Sequence, residues 1–128
     1  DELIEFSANR QNIENRTSQD FYINEAVVYI QQNYNRELTV DEVANFCKLN
    51  RNYFSRKFKK VMGCSPQEFL IHQRLTNAAE LMRLTDLPIK TVAAQCGYHN
   101  QFHFSQAFKK YYGLPPQEWR KQNHSKMD

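Results

Sequence analysis

From Tyr22 to Tyr34 the apolar residues Ile23, Ala26, Val27 and Ile30 recur at i, i+3, i+4 and i+7. That period predicts an amphipathic helix with one buried stripe. Thr39-Val40-Asp41-Glu42 reads as a capping box, with Thr39 as N-cap and Glu42 three residues on, opening a short helix to about Cys47. Asn50 is placed to cap a further helix over about 51–62, which Gly63 can end. Ser65-Pro66-Gln67-Glu68 is a second capping box with Pro in the first turn, and it starts the longest predicted helix, reaching Leu84. Its apolar positions include Phe69, Leu70, Leu75, Ala78, Ala79, Leu81 and Met82, enough to serve packing on both sides. A short helix over Pro88–Cys96, a turn at Gly97, a helix over about 101–112 capped by Asn100 and closed by Gly113, and a last short helix opened by Pro115-Pro116 complete the pattern. The expected architecture is all-α, with about seven helices.

Residues 1–20 carry only scattered Leu3, Ile4, Phe6 and Ile13 without a sustained period, and read as a linker or tail. The expected organisation is a folded domain over 21–122, divided into 21–64, a linker helix over 65–85, and 86–122, with a tail over 123–128. A first residue other than Met suggests a chain cut from a longer protein, although a chain processed or trimmed at its start would look the same.

Composition narrows the function classes. Among 128 residues, nine Phe and seven Tyr supply a core, whereas three Gly and four Pro are too few for an all-β fold rich in tight turns. The longest apolar runs, such as Phe69-Leu70-Ile71, are too short to span a membrane, so a cytoplasmic protein is expected. Cys47, Cys64 and Cys96 are odd in number and form no C-x-x-C pair, which favours buried free thiols in a reducing compartment. The net charge of +3 is unevenly spread: residues 1–25 hold six acids and two bases, and residues 26–128 hold fifteen bases and eight acids. Arg51, Arg56, Lys57, Lys59 and Lys60 fall within ten residues that contain no acid. Such a helix suits a polyanion, although a solvated surface helix can look the same.

An internal repeat decides between these. Residues 54–69 and 104–119 are identical at nine of sixteen positions, where average composition gives about one match by chance. Upstream, Val43-Ala44-x-x-Cys47 recurs as Val92-Ala93-x-x-Cys96, at a spacing shorter by one residue that falls in the turn. Each repeat therefore has a short helix with a small Ala that allows close crossing, a tight turn, and a basic second helix. That is a helix-turn-helix, whose second helix enters the major groove of DNA.

At 100° per residue, Phe54, Phe58 and Val61 share one side of the first reading helix, while Asn52, Arg56 and Lys59 lie opposite. The corresponding core positions of the second are Phe104, Phe108 and Tyr111, and opposite them stand Phe102, Gln106 and Lys109. Arg pairs bidentately with guanine, Gln or Asn with adenine, and an apolar side chain with the thymine methyl. Arg56 and Gln106 are thus expected as principal base readers, with Asn52, Gln101 and Phe102 beside them. Phe102 is either a methyl reader or a core residue. Arg51, Ser55, Lys59, Lys60, His103, Lys109 and Lys110 are expected on phosphates, adding affinity and salt dependence more than specificity. A linker helix about 28 Å long suits two reading helices that enter major grooves about 34 Å apart.

The same residues resemble the AraC/XylS transcription regulators. The resemblance is carried by Ala44, Phe54-x3-Phe58-Lys59-Lys60-x2-Gly63-x-Ser65-Pro66-x2-Phe69-Leu70-x3-Arg74-Leu75-x2-Ala78, Ile89-x3-Ala93-x3-Gly97-Tyr98, and Phe104-Ser105-x2-Phe108-Lys109-Lys110-x2-Gly113-x2-Pro116-x2-Trp119-Arg120. It covers about residues 22–121. It implies two helix-turn-helix units joined by a long helix, and base contacts from Asn52, Arg56, Gln101, Phe102 and Gln106. Around Phe46–Phe54 and Asn100–Ser105 the wording is most similar to regulators of sugar-utilisation operons. The resemblance further implies action with RNA polymerase, no cofactor, and dimerisation and effector binding in an N-terminal domain not contained here. Three departures stand out: Lys48 where the family often has Gly, implying a left-handed residue; Gln106 where Arg is common; and Pro115 in place of a Ser cap.

Three other readings compete. His99 and His103 are four apart, as two metal ligands on one helix would be, but lack a Cys or carboxylate cluster and His99 falls in a predicted turn. Some DNA-repair methyltransferases carry this module, but they need a reactive-cysteine domain, and these three cysteines sit at core-like positions. A protein-interaction module without DNA binding is the third.

Overall fold

A stripe of Ile23, Ala26 and Ile30 needs an apolar surface opposite it, and in the computed structural model of the chain all three are fully enclosed. The structure describes residues 18–125, with side chains from Phe21; the linker expected over 1–20 lies outside the described side chains. Among the described residues there are seven helices and no strand: α1 (Ser18–Asn33), α2 (Val40–Phe46), α3 (Arg51–Met62), α4 (Pro66–Leu84), α5 (Ile89–Gln95), α6 (Gln101–Tyr112) and α7 (Pro116–Asn123). The first begins four residues before the expected Tyr22, because Ser18–Phe21 continue the helix ahead of the first buried position.

The helix ends follow from local chemistry. Thr39 accepts the Glu42 N–H at 3.1 Å, and the Glu42 carboxylate accepts the Tyr29 hydroxyl at 2.7 Å, tying α2 to α1. Ser65 and Glu68 form a reciprocal box: the Ser65 N–H donates to Glu68 Oε1 at 2.8 Å, and the Glu68 N–H to Ser65 Oγ at 3.1 Å. These bonds hold the Glu68 carboxyl below its ordinary pKa, chiefly through the Ser65 N–H. A lowered carboxylate stabilises above its unfolded pKa, and that contribution fades as pH falls through the folded value. Ser65→Ala is expected to cost about 1 kcal/mol at neutral pH. The pH-dependent half of the box is the Glu68 carboxylate, so in urea titrations the deficit of Glu68→Gln against the parent should narrow as pH falls through the lowered Glu68 value; a deficit constant with pH would remove the carboxylate as its cause. Pro115, as expected from its lack of a hydroxyl, gives α7 no side-chain cap.

The described chain divides into two compact units, with the boundary inside α4. The first, through Asn33 and over Leu38–Leu70, buries Leu38, Val43, Ala44, Cys47, Phe54, Phe58, Val61, Phe69 and Leu70 with the α1 stripe. Phe58 packs against Phe54 and, edge-on, against Phe69. The second, Tyr34–Glu37 and from Ile71 onward, buries Leu75, Ala78, Met82, Ile89, Val92, Ala93, Cys96, Phe104 and Phe108. There Trp119 meets Phe108 edge-on at 5.6 Å, and Tyr112 packs against both rings.

Arg74 explains why Tyr34–Glu37 belong to the second unit. Its Nε donates to the Tyr34 carbonyl and its Nη2 to the Arg36 carbonyl, both at 2.9 Å, and its guanidinium sits 5.7 Å over the Tyr98 ring. Burial lowers its pKa, yet it remains charged at any physiological pH. At the far end of α4, His124 meets Asp86 at 2.6 Å and the Ser125 N–H donates to the Arg83 carbonyl, so His124 and Ser125 are tied down.

Val27, expected in the buried stripe of α1, is only half-buried, and two further core assignments need correction. Tyr111 is 44% exposed, not a core residue; its hydroxyl bonds His72 Nδ1, and Tyr112 takes the place beside Phe108. A phenol needs a polar partner that an apolar pocket lacks. Cys64 is only half-buried, whereas Cys47 and Cys96 are buried, and burial pushes both of those thiols up to about 11. Cys47 and Cys96 are therefore poor nucleophiles at neutral pH.

Candidate nucleic-acid interface

The sequence repeat reappears bond for bond in the turns. Val43 and Val92 accept from Cys47 and Cys96 at 3.2 and 3.1 Å, and Asn45 and Ala94 accept from Lys48 and Gly97 at 3.0 and 3.2 Å. Ala44 and Ala93 accept from Leu49 and Tyr98 at 3.0 and 2.9 Å. Both Ala side chains are buried, as close helix crossing requires. His99 is the extra residue of the second turn. It lies outside α6, so it does not share a helix with His103, and no His, Cys, Asp or Glu cluster among the described residues could hold a metal.

Each reading helix then starts on an Asn. Asn50 Oδ1 accepts from Asn52 and Tyr53 N–H at 2.9 and 3.3 Å, and Asn100 Oδ1 from Phe102 and His103 N–H at 2.8 and 3.2 Å. Both asparagines are occupied as caps. Gly63 and Gly113 end α3 and α6 with left-handed φ of 84° and 87°, each donating to a lysine carbonyl, Lys59 or Lys109.

Ten successive positions of the two helices, 51–60 and 101–110, share the same order of exposed, half-buried and buried residues. Phe54 and Phe58, like Phe104 and Phe108, point inward at zero exposure. Outward stand Asn52, Arg56, Lys59 and Lys60 on α3, and Gln101, Phe102, His103, Gln106, Lys109 and Lys110 on α6. Ser55 and Ser105 are half-buried at the edge of this face. No described residue hydrogen-bonds or ion-pairs with the side chains of Asn52, Arg56, Gln101 or Gln106, so their donors and acceptors are available to a base edge. Lys59-Lys60 and Lys109-Lys110 occupy last turns, where the helix dipole favours cations.

Two residues sharpen the face. Phe102 is 64% exposed, which removes the core alternative for it; its first-turn place outside the Phe104–Phe108 stripe leaves nothing to bury it. Arg51 is engaged within the protein, at 3.2 Å from Asp41, with both partners largely exposed. Reading the sequence also passed over Tyr53, an exposed residue at the α3 position that corresponds to His103. The fifty-residue spacing was the signal that could have found it.

The comparisons agree with this geometry. A family described as "Helix-turn-helix domain" matches residues 43–122. The chain is 37% identical over 76 residues to the lactose operon transcription activator of Staphylococcus xylosus, covering 59% of this chain and 27% of that protein. The C-terminal domain of AraT, a response regulator from Geobacillus stearothermophilus, superposes with a TM-score of 0.79 at 36% identity, over 84% of this chain and 91% of that one. The DNA-binding domain of AdpA, solved in complex with a target DNA, superposes with a TM-score of 0.75 at 25% identity, over 78% of this chain and 90% of that one. The chain thus spans about a quarter of the length of the lactose activator it matches.

Proposed function

Because this chain belongs to the AraC/XylS family of helix-turn-helix transcription regulators, we propose that it reads one asymmetric promoter site with α3 and α6 and so controls a sugar-utilisation operon. The observation that carries the proposal is the pair of reading faces, alike in burial and in caps but unlike in the residues they offer. Asn52 and Arg56 of α3 read one half-site; Gln101, Phe102 and Gln106 of α6 read the other. Arg56 selects guanine, Gln106 adenine, and Phe102 packs on a thymine methyl. Arg51, Ser55, Lys59, Lys60, His103, Lys109 and Lys110 grip phosphates, Arg51 by leaving its exposed pairing with Asp41, which is worth little in water.

The sugar-operon role is supported by the lactose activator among the relatives. Dimerisation and effector recognition belong to a separate N-terminal domain, in keeping with the greater length of that relative. The regulator works on RNA polymerase in the cytoplasm; no helix among the described residues is long and apolar enough to cross a membrane.

Selection of bound duplexes from a random pool tests this directly, and should return a site with two dissimilar halves. Arg56→Ala and Gln106→Ala are each expected to cost about 1–3 kcal/mol and to relax different halves of that site. If both variants relaxed the same base pairs, the two-reader assignment would be lost.

A further inference from the structure

Lys48 is the residue among those described that holds a positive φ, 59°, without being glycine. Its counterpart in the second repeat is Gly97, at φ 95°, so the same turn geometry is met once with glycine and once with a lysine whose Cβ opposes it. The turn bonds impose that backbone: the Lys48 N–H donates to Asn45 O and the Leu49 N–H to Ala44 O, both at 3.0 Å. The lysine gains nothing visible within the fold in return. Its side chain is exposed, and no described residue hydrogen-bonds or ion-pairs with it. It stands two residues before Asn50, the cap of α3, and opens a run to Gln67 that contains no acid and includes Arg51, Arg56, Lys57, Lys59 and Lys60.

We infer that Lys48 is a phosphate contact of the first helix-turn-helix, a strained turn residue retained for its charge beside the entry of the α3 reading helix. This rests on the DNA-binding reading above, and deepens it by adding a contact that lies outside both reading helices. A backbone outlier of this kind points to function when nothing in the fold needs the side chain. The consequence is an opposition between stability and binding at one position.

The test compares the parent chain with Lys48→Gly and Lys48→Arg, using a mixed-sequence DNA duplex and a salt titration, since phosphate contacts act without regard to sequence. Lys48→Gly should melt about 2–5 °C higher. It should also bind about five-fold more weakly at 0.1 M salt, with a plot of log affinity against log salt shallower by about one unit. Lys48→Arg should keep the parent slope. If Lys48→Gly binds with the parent's slope while the parent itself responds steeply to salt, Lys48 is no phosphate contact and this inference alone fails. A Lys48→Gly chain that melts lower than the parent overturns the strain argument. A parent chain indifferent to salt defeats the DNA-binding reading and this inference together.

Discussion

Gly97→Ala is expected to unfold the second unit at markedly lower denaturant, with a loss of about 3–5 kcal/mol. Two effects add. At φ 95° any side chain is strained. A Cβ at this position would also lie 2.5 Å from the Tyr34 carbonyl oxygen and 2.9 Å from Arg74 Nε, the two atoms that form the Arg74–Tyr34 hydrogen bond. Backbone cannot yield as a side-chain tip can, so the methyl must displace Tyr34, Arg74 or both. Arg74 is a half-buried cation that also holds Arg36 O and stacks on Tyr98, and its displacement leaves charge and carbonyls unpaired. The single tryptophan, Trp119, sits against Phe108 and Tyr112 in this same unit, so its fluorescence in a urea titration reports the loss where it occurs. Gly63→Ala is the matched control, since its φ is 84° but nothing lies within 4 Å of the added methyl. It should cost only about 1 kcal/mol. Equal losses from the two variants would show that close packing at Gly97 contributes nothing.

The second large effect is on binding. In the proposed interface Lys48, Arg51, Lys59, Lys60, Lys109 and Lys110 would offer six cations to phosphates, and each neutralised phosphate releases close to one counterion. Log affinity against log salt is therefore expected to fall with a slope of about −5 to −6, which weakens binding about a thousand-fold or more between 50 and 200 mM salt. Fluorescence anisotropy on a labelled duplex measures it. Lys59→Ala with Lys60→Ala should make the slope shallower by about two while leaving the preferred bases unchanged, because phosphates carry no sequence information. A change in base preference instead would move these lysines from the backbone grip to the reading set.

The proposed division between reader and grip follows a pattern already present in the repeat. Phe54, Phe58, Lys59, Lys60 and Gly63 recur because the core, the cation-bearing last turn and the helix stop are needed twice. The differences at 52 against 102 and 56 against 106 fall on the exposed face in the structure. Less was visible where two like residues take different places. Phe102 and Phe104 are both aromatic and two apart, yet one is 64% exposed and the other fully buried, because only the second lies on the α6 stripe facing α4 and α5 residues. Val61 and Tyr111 are equivalent by repeat and opposite by burial: the valine has no polar atom to satisfy, while the tyrosine hydroxyl turns to His72.

The sequence by itself determined the seven helices, their caps and stops, the inward phenylalanine pairs and the repeated turn, since each depends on residues within about four positions of one another. Tertiary structure alone decided that Arg74 clamps carbonyls forty and thirty-eight residues away, that Gly97 beside that clamp admits no side chain while the equivalent turn admits Lys48, and that Arg51 is shared with Asp41. Those outcomes depend on which distant atoms arrive next to each residue, and no local period encodes such arrivals.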